Sequence, residues 1–155
     1  LKNPSYFCAF TFESAMKVFK FGGASIKDAN AIRNVAHILQ SYRQEKLVIV
    51  VSAMGKTTNA LEAVVNAHAK FAGNAQELYD AVKEQHYTIL RELFEANDEV
   101  FSIVNDTFVE GEWVLDEAPN EDYDYMYDQL VCMGELVSTR ILAAYLNKAG
   151  LPTQW

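Results

Sequence analysis

Hydrophobic positions change their period along this chain, and each change marks a change of element. Val18-Phe19-Lys20-Phe21 is a short apolar run that breaks at Gly22-Gly23, the pattern of a strand entering a tight turn. Ile32, Val35, Ala36, Leu39 and Tyr42 then recur at helical spacing. They predict a helix to about Glu45, capped at its start by Ser25 or Asp28. Leu47-Val48-Ile49-Val50-Val51 is continuous and largely β-branched, which predicts a strand buried on both faces of a helix-covered parallel sheet. Strand, helix and strand in this order form a right-handed crossover. Both strands then end on the same sheet edge, where ligands of open α/β sheets gather.

From Ala60 to about Leu115 the period is helical throughout. Leu61, Val64, Val65 and His68 make one stripe, interrupted by Gly73-Asn74. Leu78, Val82, Ile89, Leu90, Leu93 and Phe94 make a second, and Val100, Phe101, Val104, Phe108 and Leu115 a third that contains Gly111. No strand pattern separates them, so a helical hairpin or small bundle inserted between sheet elements is predicted. Ala118-Pro119-Asn120 breaks the chain, and a single helix is predicted from Asp124 to Lys148, buried through Leu136, Ile141, Leu142, Tyr145 and Leu146. Gly134 inside it costs ~1 kcal/mol relative to alanine, so a kink or a close backbone approach is expected there. Gly150 stops this helix, and Thr153-Gln154-Trp155 reads as the start of a third strand. On this reading the chain stops inside a supersecondary unit. Leu1 to Ala15 lack the ordered parts of a signal peptide and read as an upstream extension before a natural start at Met16.

Composition narrows the function. Half of the 155 residues are hydrophobic and 22% are charged, with a net charge of −8, a globular composition with enough chain for one core. An acidic balance argues against nucleic-acid and anionic-membrane partners, which need a basic field. No apolar run approaches the ~18 residues of a membrane span. A small polyanion is still allowed, because a few local donors can hold it. Cys8 and Cys132 have no framework or metal spacing and are expected to be buried thiols of a cytoplasmic protein. His37, His68 and His86 sit within helical patterns without partner spacing, and no metal site is expected. Asp98 to Asp128 carries eleven acidic side chains and no Lys or Arg, which reads as a solvated face or as a docking surface for a basic partner.

Three stretches carry candidate chemistry. Lys20, the Gly22-Gly23 pair and a helix start near Ser25 supply a point charge, close backbone approach and a positive dipole end, all suited to phosphate. The order is not that of G-x-x-x-x-G-K-[ST], and no G-x-G-x-x-G occurs. Ser52-Ala53-Met54-Gly55-Lys56-Thr57-Thr58-Asn59 is a hydroxyl-rich loop that the crossover sets beside the first. Its bland alternative is a helix N-cap at Thr58 or Asn59. Glu135 follows Gly134 ahead of an apolar stretch, and reads either as a surface glutamate or as a carboxylate awaiting a cationic partner.

Taken in order, Lys20-Phe21-Gly22-Gly23-Ala24-Ser25, Val51 to Asn59, and Met133-Gly134-Glu135-Leu136-Val137-Ser138-Thr139 with Gly150 to Trp155 resemble the N-terminal part of the aspartokinase catalytic domain, over Met16 to Trp155. The resemblance implies the three-layer α/β/α sandwich of the amino-acid kinases, incomplete here and carrying a helical insertion. It implies transfer of the γ-phosphoryl group of ATP to the β-carboxylate of L-aspartate, the first step toward lysine, threonine and methionine. It implies ATP with Mg²⁺ held mainly through the phosphates, and a homo-oligomer as the full-length protein. By position, Lys20 would be catalytic, with Lys20, Gly22, Gly23 and Ser25 on the phosphates. Ser52, Thr58 and Glu135 would bind aspartate, Glu135 through its ammonium group. Ala24 departs from the threonine common in the family, so Ser25 or the backbone would serve in its place. The base pocket, a carboxylate-binding arginine and the regulatory domains would lie beyond Trp155, leaving residues 1–155 an incomplete enzyme. Another amino-acid or carbamate kinase, and a non-catalytic interaction module, are the competing readings.

Overall fold

Strand β1 (Lys17–Phe21) runs parallel to β2 (Leu47–Val51), with Lys17 opposite Leu47 and Phe21 opposite Val51. They form a two-stranded sheet in a computed structural model that describes residues 15–118 and 122–155. A 3₁₀ turn (Gly23–Ile26) leads to α1 (Ala29–Gln40), which Asp28 caps by accepting the Ala31 N–H at 2.8 Å. The helix is shorter than its periodicity predicts. Beyond Gln40 the N–H groups of Ser41, Tyr42 and Arg43 bond three residues back rather than four. This tighter turning sets the Tyr42 ring 4.8 Å from that of Phe19, over the sheet.

Helices α2 (Thr57–Ala69), α3 (Ala75–Leu93) and α4 (Val100–Asp116) follow as predicted, without an intervening strand. Their stripes meet in a core that includes Leu61, Val65, Tyr79, Leu90, Val104 and Phe108. Asp98 and Glu112 of the acidic stretch pair with Lys148 and Lys83 of neighbouring helices, and most of its other described carboxylates are exposed.

The last helical stretch divides into α5 (Tyr123–Val131) and α6 (Met133–Lys148) at Cys132. The single helix expected from Asp124 to Lys148 is therefore corrected to two, and the interruption falls beside Gly134, where a kink or close approach was expected. Cys132 is exposed, not buried as its type predicts.

Two further expectations change at the sheet. Phe19, Phe21, Leu47, Ile49 and Val51 face the core, whereas Val18, Val48 and Val50 are 68%, 40% and 43% exposed. The described helices cover only one face, so β2 is half-buried, and the second helical layer of an α/β/α sandwich is not among the described residues. Thr153-Gln154-Trp155 does not pair as a strand. The Asn147 side chain holds both the N–H and the carbonyl of Thr153 at 2.9 Å, and Trp155 donates its indole N–H to Thr139 Oγ1 at 2.8 Å. These bonds fold the segment back onto α6. The reading of residues 1–14, with Cys8, lies outside the described residues, as do Pro119 and Asn120.

Candidate active site

At the carboxyl ends of the strands the two loops pack against each other. The Ser52 N–H approaches the Phe21 carbonyl at 3.4 Å, and the Gly55 N–H donates to the Gly23 carbonyl at 3.0 Å. A Cβ on Gly23 would stand 2.5 Å from the Ala53 carbonyl oxygen, a distance that no side chain tolerates, so glycine is required for this contact. Gly22 is different, with no atom within 4 Å of where its Cβ would be, so its backbone is open to a ligand. Lys20 lies opposite Val50 on the uncovered sheet face and is exposed; Ser25 is exposed at the 3₁₀ turn.

The second loop delivers the start of α2. Neither Thr58 nor Asn59 caps it. The helix begins at Thr57, with Lys56 at the N-cap and no side-chain cap hydrogen bond among the described residues. The reason is local: the Thr57 N–H already turns back to the Met54 carbonyl at 2.9 Å, which starts the helix before those two residues are reached. An uncapped helix start of this length presents free N–H groups and a positive dipole end, favourable to an anion. Thr57 is buried and its hydroxyl has no partner among the described residues, while Thr58 is exposed.

Helix α6 closes the arrangement. A Cβ on Gly134 would lie 2.9 Å from Thr57 Cγ2, 3.0 Å from Ala53 Cβ and 3.3 Å from Leu61 Cδ1. The backbone of α6 thus sits directly on the Ser52 loop. Glu135, in the first turn, is exposed, and its carboxylate makes no ion pair with a described residue. One turn further, fully buried Ser138 points its hydroxyl at the Ser52 carbonyl (3.0 Å) and at the Glu135 carbonyl (2.9 Å).

The structure therefore joins Gly23, the Ser52 loop and the Gly134-Glu135 turn through direct backbone contacts. Lys20, Gly22, Ser25, Thr58 and Glu135 are all exposed, and their side chains do not hydrogen-bond to one another. Ser138 and Thr57 are the residues that periodicity alone does not single out. Gly134 and Ser138 stand four apart, a small-residue pair on one helix face, and that spacing was the available signal. Cys132, before α6, has its thiol pushed up from the usual value by partial burial and by the Asp128, Glu135 and Glu110 carboxylates, against its own backbone hydrogen bond. That disfavours a thiolate nucleophile. No group of three His, Cys, Asp or Glu side chains that could hold a metal occurs among the described residues. No described helix is long and apolar enough to cross a membrane. A groove of about 520 Å³ along β2, lined by Leu47, Ile49, Val51, Leu142, Leu146 and Trp155 among others, contains none of the candidate residues.

Two glycine-dependent contacts thus gather three separate segments at the carboxyl ends of the parallel strands of an α/β domain. The chain belongs to the amino acid kinase family, whose model matches residues 15–155. Among curated relatives, it is 36% identical over 140 residues to aspartokinase 1, chloroplastic, of Arabidopsis thaliana, covering 86% of this chain and 24% of the relative. It is 30% identical over 141 residues to the bifunctional aspartokinase/homoserine dehydrogenase 2 of Escherichia coli, covering 90% and 17%. Among solved structures it resembles E. coli aspartokinase III in complex with aspartate and ADP (R-state). The TM-score is 0.76 at 28% identity, covering 89% of this chain and 30% of that one. The T-state of the same enzyme, in complex with lysine and aspartate, gives a TM-score of 0.74 at 28% identity, covering 86% and 29%. The chain thus spans about a quarter of the length of the first of these relatives.

Proposed function

We propose that the protein carrying this chain transfers the γ-phosphoryl group of ATP to the β-carboxylate of L-aspartate, giving 4-phospho-L-aspartate. The observation that carries the reading is the junction itself. The three segments that resemble aspartokinase motifs are far apart in sequence, yet Gly23 meets Ala53 and Gly55, and Gly134 meets Ala53 and Thr57. Similarity to aspartokinases, one of them solved with aspartate and ADP, supports the same assignment.

Phosphoryl transfer needs chiefly positioning and neutralisation of charge, with no covalent nucleophile from the protein. Lys20 supplies an exposed cation beside the open Gly22, Gly23 holds the turn against the second loop, and Ser25 stands at the same turn; together they bind the phosphates. Ser52 and Thr58 line the acceptor site, where the free start of α2 favours a carboxylate or phosphate oxygen. Glu135 has a free carboxylate for the substrate ammonium group, a charge-assisted pair. Mg²⁺ suits sites that supply one or two carboxylates plus substrate phosphates. On this reading the ion would be held mainly through the phosphates of ATP and would neutralise their charge. The net charge of −8 disfavours nucleic acid and anionic membranes as partners, and on this reading the working protein is a cytoplasmic homo-oligomer.

The test is acceptor-dependent ADP release by the whole protein with aspartate, glutamate, N-acetylglutamate and carbamate, combined with hydroxylamine trapping of the acyl phosphate. Aspartate-dependent release with a trapped hydroxamate is the expected result. Equal or greater turnover with another acceptor, or none with any, overturns the assignment.

A further inference from the structure

Ser138 stands out because a buried hydroxyl inside a helix is an unfavourable choice unless it is used. Serine has lower helix propensity than alanine, and its polar group must be satisfied when water is excluded. Ser138 is 0% exposed, and its hydroxyl has two acceptors within reach. One is the Glu135 carbonyl, three residues back in its own helix at 2.9 Å. The other is the Ser52 carbonyl at 3.0 Å, from a loop 86 residues earlier in the chain. A hydroxyl has one proton to donate, so the two carbonyls share it.

Those carbonyls belong to Ser52 and Glu135, two residues proposed to flank aspartate. We propose that Ser138 is a positioning residue for the acceptor substrate: its hydroxyl fixes the Ser52 loop against the turn that presents Glu135. The proposal rests on the aspartate kinase reading. Gly134 provides the second point of attachment one turn away, where α6 touches Ala53 and Thr57. Two contacts at i and i+4 on one helix face hold the loop in both translation and rotation. A single contact would leave it free to pivot. The nucleotide side of the site, Lys20 to Ser25, meets the loop through the backbone of Phe21 and Gly23, and the Ser138 hydroxyl bonds only Ser52 and Glu135 among the described residues, so its loss acts first on the acceptor side.

The experiment compares wild type, Ser138→Ala and Ser138→Cys in the whole protein by steady-state kinetics in both substrates, with hydrogen exchange across Ser52 to Gly55. Ser138→Ala is expected to raise KM for aspartate about fivefold, the order of one lost buried hydrogen bond. KM for ATP stays at its wild-type value, and exchange in the Ser52–Gly55 segment speeds up. Ser138→Cys, similar in size with a weak donor, recovers part of the aspartate KM. Equal rises in both KM values, or an aspartate KM unchanged by Ser138→Ala, overturn the proposal. If Ser138→Ala does not fold, Ser138→Cys decides by the same split between the two KM values. A wild-type protein that transfers nothing to aspartate overturns the functional reading itself, and is thereby distinguished from an active wild type whose Ser138 variants are silent.

Discussion

Gly134 lies so close to Ala53 that a methyl group added to it would stand 3.0 Å from the Ala53 Cβ and 2.9 Å from Thr57 Cγ2. Two effects compete in Gly134→Ala. Alanine improves the helix by ~1 kcal/mol, while overpacking a tight contact costs about 1–3 kcal/mol. Thr57 is β-branched and buried, so it has little freedom to turn away. We expect the clash to prevail, with a lower Tm and a higher KM for aspartate. Thermal unfolding of the variant alongside wild type checks this, and a raised Tm would show that the loop yields.

Lys20 makes no ion pair with a described residue and lies on an exposed sheet face. Its removal should therefore leave folding intact. In the whole protein Lys20→Met is expected to lower kcat by about a hundredfold or more, the order of loss for one preorganised charge or donor at a transition state. Steady-state kinetics with circular dichroism separates the outcomes. A near-normal kcat with a raised KM for ATP would make Lys20 a ground-state ligand only.

Glu135 is exposed and in the first turn of α6. Glu135→Gln removes the charge and keeps the shape. We expect a KM for aspartate raised at least about tenfold, in keeping with loss of a charge-assisted bond, and a KM for ATP and a Tm close to wild type. Measurement of both KM values decides; unchanged values would remove Glu135 from the site.

His86 gives a prediction about stability. Its Nδ1 lies 2.8 Å from the Val82 carbonyl, Nε2 has no partner among the described residues, and Phe108 packs against the ring at 5.6 Å. Burial lowers its pKa below 6.5, opposed by the Val82 hydrogen bond. The unfolded chain therefore binds a proton more readily than the folded one. Stability from the neutral ring is complete above about pH 6.5 and is lost as pH falls from there toward the lower folded value. Melting curves between pH 7.5 and 5 should show a falling Tm that is shallower in His86→Leu. An identical slope in the variant would assign the acid sensitivity to other groups.

Local pattern was enough for much of this fold. Alternating periods placed β1, β2 and the helices α2 to α4, because each buries one stripe whose spacing is fixed by its own geometry. Asp28 was legible as a cap because capping depends on residues within one turn, and Gly134 as a point of close approach because a glycine inside a helix is costly unless its missing side chain is used. The three candidate stretches were legible as chemistry, since lysine, paired glycines and a carboxylate ahead of an apolar run are unusual side by side. Tertiary structure decided what spans distance. It set which threonine of Thr57-Thr58 is buried, because α2 starts at Thr57, two residues earlier than a cap at Thr58 would place it. It divided the last helix at Cys132, beside the point where Gly134 meets the loop. It left Val48 and Val50 exposed although their run reads as fully buried, because burial depends on the layers present and not on the strand. It also gave Ser138 its role: a serine in a helix says nothing alone, and the carbonyl that gives it meaning belongs to Ser52, 86 residues away.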